Sequence, residues 1–203
     1  MVDFVLMAIL AYFCGSLPSG VWIGKLFKNI DIREYGSNNS GATNAYRVLG
    51  PKYGFIVLAA DALKGYLPLY IAQENFGLYG NSLIALGLVA IMGHTLSCFL
   101  DFKGGKGVAT SLGVFLYLFP LGIITVFLAF VVIVKFTKYI SLGSIIGALL
   151  LPILACFLPM KDGVERLPLF VLSLLVGGFV IYKHKSNIER LLKGTENKFK
   201  LKK

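Results

Sequence analysis

The chain has 203 residues, of which 57% are hydrophobic and 15% charged, and it carries a formal net charge of +10. That balance belongs to a polytopic membrane protein and excludes a separate soluble domain, because no polar tract is long enough to build one; residues 1–203 are expected to form a single bundle. Cys14, Cys98 and Cys156 lie in or beside apolar runs without CxxC spacing, so neither a disulfide framework nor a zinc site is expected. With no basic module interleaved with aromatic residues, the positive charge does not point to nucleic acid. It points to anionic lipid and phosphorylated ligands at a membrane surface.

Phe4 to Phe27 reads as a first span, with Asp3 ahead of it instead of a basic leader and no convincing cleavage site. Gly15-Ser16-Leu17-Pro18-Ser19-Gly20 interrupts it, either as a packing kink or as part of a site. Broken helices survive at membrane depth where neighbours satisfy the freed backbone. Lys28 to Lys52 is polar, must lie outside the hydrocarbon, and contains GSNNSGATNAYR from Gly36 to Arg47. Tyr53 to Ala72 is the second span. Asp61 and Lys64 share one face of it and can pair, as a functional site or as a structural ion pair. Gln73 to Asn81 is a short loop and Ser82 to Leu100 the third span; the basic turn Lys103-Gly104-Gly105-Lys106-Gly107 follows it.

Val108 to Val134 is a run of 27 residues without a charge, long for one span and short for two. The bias of Lys and Arg toward cytoplasmic loops decides between them. A hairpin at Pro120 and Gly122 puts 17 of the 20 Lys and Arg on one side, whereas a single long span would put Lys135, Lys138 and the basic tail outside. The sequence therefore predicts an all-α integral membrane protein of about seven transmembrane helices, some short or broken, with the N-terminus out and the C-terminus in. A helix from about Gly104 to Leu118 covers only about 22 Å of a hydrocarbon core roughly 30 Å thick, so it belongs inside the bundle. Tyr139 to Leu158 is the sixth span, Pro159 to Arg166 an outer loop and Leu167 to Tyr182 the seventh span; the tail from Lys183 is basic and amphipathic over Ile188 to Leu192.

Three polar clusters fall on the cytoplasmic side: Ser37 to Arg47, Lys103 to Thr110, and His184 with Asn187, which a helical tail brings onto one face. Arg47 can fork onto a phosphate, Lys106 adds a point charge, and Ser37, Thr43 and Asn44 offer directional hydrogen bonds. The glycines beside Lys106 let backbone N–H groups approach an anion, and a helix starting at Val108 adds its own unpaired N–H groups. The alternative for this turn is a basic loop that only sets topology. The inventory suits a phosphate monoester together with a second phosphate. It holds no catalytic triad: Cys98 has only His94 near it in sequence, and nothing there activates its thiol. His94, at the end of an apolar run, reads first as a packing histidine.

On these residues the sequence resembles the acyl-phosphate-dependent glycerol-3-phosphate acyltransferases, the bacterial PlsY family. The resemblance runs from Gly15-Ser16-Leu17-Pro18-Ser19-Gly20 through GSNNSGATNAYRVLG, Asp61-Ala62-Leu63-Lys64-Gly65 and GHTLSCFLDFKGGKGVAT to KHKSNIERLLKGTE. It implies that glycerol 3-phosphate is contacted by Ser37, Arg47, Lys106, His184 and Asn187, while Thr43, Asn44, Gly104, Gly105 and Gly107 belong to the acyl-phosphate site. Asn39, His94, Lys103 and Thr110 complete the expected substrate-binding set. Two positions depart from the family pattern: Ser97 stands where proline is usual, and Ser40 where valine or another small apolar residue is frequent. The spacing of His94 and Asp101 does not match the H-x4-D pair of acyl-CoA-type glycerolipid acyltransferases, since Phe99 takes the aspartate position.

The activity implied by the resemblance is transfer of a fatty acyl group from acyl phosphate to the 1-hydroxyl of glycerol 3-phosphate, in a bacterial cytoplasmic membrane with the site facing the cytoplasm. Membrane lipid is the remaining partner, and neither metal nor cofactor is implied. An acyl phosphate is a mixed anhydride with a good leaving group, so holding two anions and an acyl chain in attack geometry can suffice. A transporter of a phosphorylated solute would share the broken first helix and the inner basic site, but the sequence has no convincing internal repeat. A non-catalytic scaffold leaves the Gly36 to Arg47 and Lys103 to Thr110 stretches without a reason.

The topology is testable by labelling single cysteines on a background lacking the three native ones. Positions 103 and 135 are expected to react from the cytoplasmic side, and positions 74 and 161 from outside. Exclusive labelling of position 135 from outside would remove one span.

Overall fold

The computed structural model describes residues 1–199, and among them every regular element is helical. Lys200, Lys202 and Lys203, counted above with the basic tail, lie outside the described residues. The chain packs as two compact units, one over Met1–Tyr117 and the other beginning at Leu118.

In the first unit the first span is split into α1 (Val2–Ser16) and α2 (Ser19–Lys28), bent by 45° at Leu17-Pro18. The polar connector then forms a single 3-10 turn over Ile32–Glu34 and a short helix, α3 (Ala42–Leu49). Apolar positions on α3 close a small core of Ile32, Ala45, Leu49 and Val57, which holds this amphipathic helix against the next one. The second span, α4 (Pro51–Phe76), starts on proline after Gly50, whose φ is +99°, and ends at the left-handed Gly77. It is therefore longer than the hydropathy suggested, and the loop after it shrinks to residues 77–80. The helix α5 (Asn81–Thr95) and the 3-10 turn Cys98–Leu100 make the third span.

The short helix α6 (Val108–Leu118) is 11 residues long and starts at Val108, as the reading of the glycine turn expected and four residues after the start at about Gly104 taken for its length, because Lys103–Gly107 is folded back on the end of α5. It is buried along most of its length, as its shortness demands. Gly65 and Gly113 let α4 and α6 approach to backbone contact: a Cβ on either would fall on the carbonyl of Thr110 or Ala62.

The charges inside this unit lie where the first span breaks. Lys64 Nζ is 2.7 Å from Asp61 Oδ1 and donates to the Leu17 carbonyl at 2.7 Å. The Ser97 hydroxyl donates to the Ser16 carbonyl at 2.5 Å and accepts from the Phe99 N–H. Two carbonyls freed by the bend are thus satisfied by side chains from two other helices. Proline at position 97 could not donate that bond, which gives the serine there a physical role.

The second unit contains α7 (Pro120–Thr137), α8 (Ile140–Phe157), α9 (Arg166–Lys183) and α10 (Lys185–Leu192). Proline at the first position of α7 and the non-helical Phe119 before it end the uncharged run as one helix, as the charge bias required. Gly143 and Gly147 admit Phe130 and Val126 of α7 onto α8, and Gly177 admits the Ala148 carbonyl onto α9. Arg166 donates to the Ala155 carbonyl and closes the end of α8. Five long apolar helical segments, the bent pair and the short α6 account for the seven predicted segments.

Lys64→Met is expected to destabilise the protein by about 3–5 kcal/mol, because it leaves the buried Asp61 carboxylate without its counter-ion. Asp61→Leu together with Lys64→Met should recover most of that loss. Thermal unfolding of both variants in detergent measures the difference; equal destabilisation would show that the pair is not the source.

Candidate active site

The expected site residues fall into two groups, one in each unit. In the first, the loop before α3 is built around Asn44, which is 1% exposed. Its Nδ2 donates to the carbonyls of Ile32 at 2.7 Å, Asn39 at 2.9 Å and Tyr35 at 3.1 Å, and its Oδ1 accepts from Ser37 N–H at 2.8 Å. Asn39 Oδ1 accepts from Gly41 N–H at 3.0 Å and tightens the same turn. The Arg33 guanidinium beside Asp31 holds its carboxyl below the ordinary range and pins the start of the loop. These bonds leave Ser37 and Thr43 exposed, with Arg47 half-buried one turn beyond Asn44. The Arg47 side chain packs against Gly36: a Cβ there would be 3.4 Å from Arg47 Cδ.

The basic glycine turn is held from the other side. Gly104 N–H donates to the Thr95 carbonyl at 3.1 Å, and Gly105 N–H donates to the His94 carbonyl at 3.2 Å. The sequence gives these glycines to an anion through left-handed backbone, but only Gly107, with φ of +83°, takes that conformation. Gly104 and Gly105 are required for close approach: a Cβ on Gly104 would fall on the His94 carbonyl, and one on Gly105 on the His94 ring. Lys103 is thereby left exposed and Lys106 half-buried at the start of α6, while Thr110 is buried in its first turn. Buried His94 packs its ring on Gly105, and its Nδ1 lies 3.9 Å from Asp61 Oδ1. A small cleft at the bend of the first span is lined by Ser16, Ser40, Asp61, Lys64, His94 and Ser97, among others.

In the second unit His184 and Asn187 are both buried at the joint of α9 and α10, and Asn187 N–H donates to the His184 carbonyl. His184 Nδ1 is 2.7 Å from the Val180 carbonyl. A carbonyl only accepts, so Nδ1 carries a proton and the ring is oriented through it. Asn187 Nδ2 donates to Glu196 Oε1 at 2.7 Å, which sets which end of the amide turns away from the tail. Ser141 and Arg190 also donate to the Glu196 carboxylate. Burial alone would raise the Glu196 pKa, but these three donors outweigh it and hold it below its ordinary value. Glu196, Ser141 and Arg190 escaped the sequence reading, because one of two acids in a basic tail carries no motif.

The model for the family described as glycerol-3-phosphate acyltransferase matches residues 5–194. The chain belongs to this family. A glycerol-3-phosphate acyltransferase of Fusobacterium nucleatum is 58% identical over 97% of the chain and 98% of its own length. One of Geobacter sulfurreducens is 44% identical over 98% of the chain and 100% of its own length. Among solved structures, the glycerol 3-phosphate form of PlsY, an integral membrane glycerol 3-phosphate acyltransferase, superposes with a TM-score of 0.87 at 38% identity. That likeness covers 97% of this chain and 96% of the neighbour. Its lysophosphatidic acid form superposes at 0.85 and 37% identity, over 98% and 96%. The chain is accordingly an integral membrane acyltransferase of the PlsY family.

The low Glu196 pKa contributes stability above the unfolded value near 4.5, lost as pH falls through the lower folded value. Backbone hydrogen exchange over residues 185–199 is expected to quicken roughly tenfold as pH drops through this window, after correction for intrinsic rates. Glu196→Gln should exchange faster already at neutral pH and respond less to acid.

Proposed function

We propose that this acyltransferase moves a fatty acyl group from acyl phosphate to the 1-hydroxyl of glycerol 3-phosphate, forming lysophosphatidic acid and inorganic phosphate on the cytoplasmic face of a bacterial cytoplasmic membrane. The observation that carries the reading is the arrangement of exposed Ser37, whose N–H is held by Asn44, and of Arg47, one turn along α3 and packed on Gly36, in a fold shared with the glycerol 3-phosphate and lysophosphatidic acid forms of PlsY. Arg47 supplies a two-pronged charged contact to the acceptor phosphate, with Ser37 adding a hydroxyl and Lys106 a point charge. The resemblance to the family assigns His184 and Asn187 to glycerol 3-phosphate as well. Lys103, Thr43 and the first turn of α6 face the donor phosphate with charge, a hydroxyl and helix N–H groups, while Thr110, wholly buried in that turn, backs it from inside.

Reaction then needs no protein nucleophile. The acceptor oxygen attacks the acyl carbonyl carbon, the bond from that carbon to the phosphate oxygen breaks, and the hydroxyl proton passes to the departing phosphate. The protein contributes orientation and charge stabilisation. The apolar helices provide the acyl chain with a route from the surrounding lipid.

In proteoliposomes supplied with acyl phosphate and labelled glycerol 3-phosphate, lysophosphatidic acid and phosphate are expected in equal amounts. Product formation only with an acyl thioester donor would replace the donor. Arg47→Lys should lower kcat/KM for glycerol 3-phosphate about ten- to hundredfold, since losing a charged hydrogen bond costs about 1.5–3 kcal/mol. Wild-type dependence on that substrate would remove Arg47 from the acceptor site.

A further inference from the structure

The resemblance to the family would have Asn44 touch the donor, yet its amide is turned into the protein. Both of its N–H groups are engaged by three backbone carbonyls on one side, and its oxygen receives Ser37 N–H on the other. The loop from Ile32 to Asn39 is wrapped around this single planar group. Gly36 is left-handed there, with φ of +65°, and a Cβ on it would overlap Asn44 Oδ1. Aspartate has the length but no donors, and glutamine has the donors but one bond too many. Asn44 and Arg47 are three residues apart on α3, so the helix carries both along one side.

We infer that Asn44 is a positioning residue: it fixes Ser37 relative to Arg47, and its loss is felt by the acceptor glycerol 3-phosphate and not by the acyl donor. The inference rests on the proposed function, in which Ser37 and Arg47 hold the acceptor phosphate. The geometry accounts for the selectivity. Without the amide N–H groups three carbonyls lose their donor and repel any oxygen put in its place, so the group that receives Ser37 N–H is no longer held, while the turn that carries Lys103 and Lys106 keeps its own bonds to His94 and Thr95.

The test is steady-state kinetics of the full chain in proteoliposomes for Asn44→Asp, Ser37→Ala and the double variant, varying each substrate in turn. Asn44→Asp should lower kcat/KM for glycerol 3-phosphate by roughly ten- to hundredfold and leave the KM for acyl phosphate within about twofold. On the Ser37→Ala background the same change should cost no more than about threefold, because its effect passes through Ser37. A raised donor KM with an unchanged acceptor dependence would make Asn44 a donor ligand and overturn the inference, and so would full additivity with Ser37→Ala. If Asn44→Asp does not fold, Gly36→Ala strains the same turn from its other side and should give the same acceptor-selective loss; a donor-selective loss would overturn the inference. Hydrogen exchange at Ser37 N–H reads the anchor without any turnover: protection in the wild type is expected to vanish in Asn44→Ala. A wild type that protects Ser37 but makes no lysophosphatidic acid would sink the proposed reaction and leave the anchor standing.

Discussion

The bend in the first span depends on one buried ammonium group. A helix broken at membrane depth exposes carbonyls that no water can satisfy, and Lys64 reaches one of them while Asp61 neutralises its charge. The Ser97 hydroxyl satisfies the neighbouring carbonyl of Ser16. Pro18 has no N–H to continue the helix, so the break is local in origin, and these donors make it tolerable at membrane depth. With them α2 leaves at 45°, and Gly20 comes close enough to Ser40 that no side chain fits between. Lys64 therefore serves the site through the backbone: it lets the first span turn so that the loop of Ser37 has a wall to rest on.

Each group of candidate ligands is then organised by one buried polar side chain. Asn44 gathers the loop around Ser37, and Glu196 gathers Ser141, Asn187 and Arg190. The two hubs use opposite chemistry for the same purpose. A loop of backbone carbonyls needs a donor-rich amide, whereas a cluster of side-chain donors needs a carboxylate. In both cases the hub orients groups with flexible or rotatable ends before any substrate arrives, which is the condition for electrostatic stabilisation without reorganisation. His94 plays a related part for the glycine turn, its carbonyl taking an N–H from Gly105 and its ring filling the space that any larger residue would need.

The reaction suited to such a site is one in which the substrates bring the reactivity. In the proposed reaction a good leaving group on the donor lets the protein act through anion binding and alignment, the part proposed for Lys103, Lys106 and Arg47. Glycines at the crossings of α4 with α6 and of α8 with α9 serve the same end, since helices in backbone contact flex little.

Apolar run lengths and the side of each basic cluster determined the spans, because hydrocarbon imposes its demand residue by residue and needs no partner. The break at Leu17-Pro18, the end of a helix before Pro120 and the pairing of Asp61 with Lys64 were legible for the same local reason. Ser37, Arg47 and Lys106, the residues proposed to bind anions, also stand in local motifs. The tertiary structure alone decided what the remaining polar residues do. Asn44 reads as a ligand in sequence but spends its amide on carbonyls up to 12 residues away, and Glu196 reads as a stray acid until Ser141, 55 residues earlier, is brought to it. Gly104 and Gly105 are glycines because of the His94 carbonyl and ring that lie against them. A hydrogen bond or a steric limit between residues distant in the chain leaves no period and no spacing in the sequence, so only the folded backbone shows whether a polar side chain faces the substrate or holds the group that does.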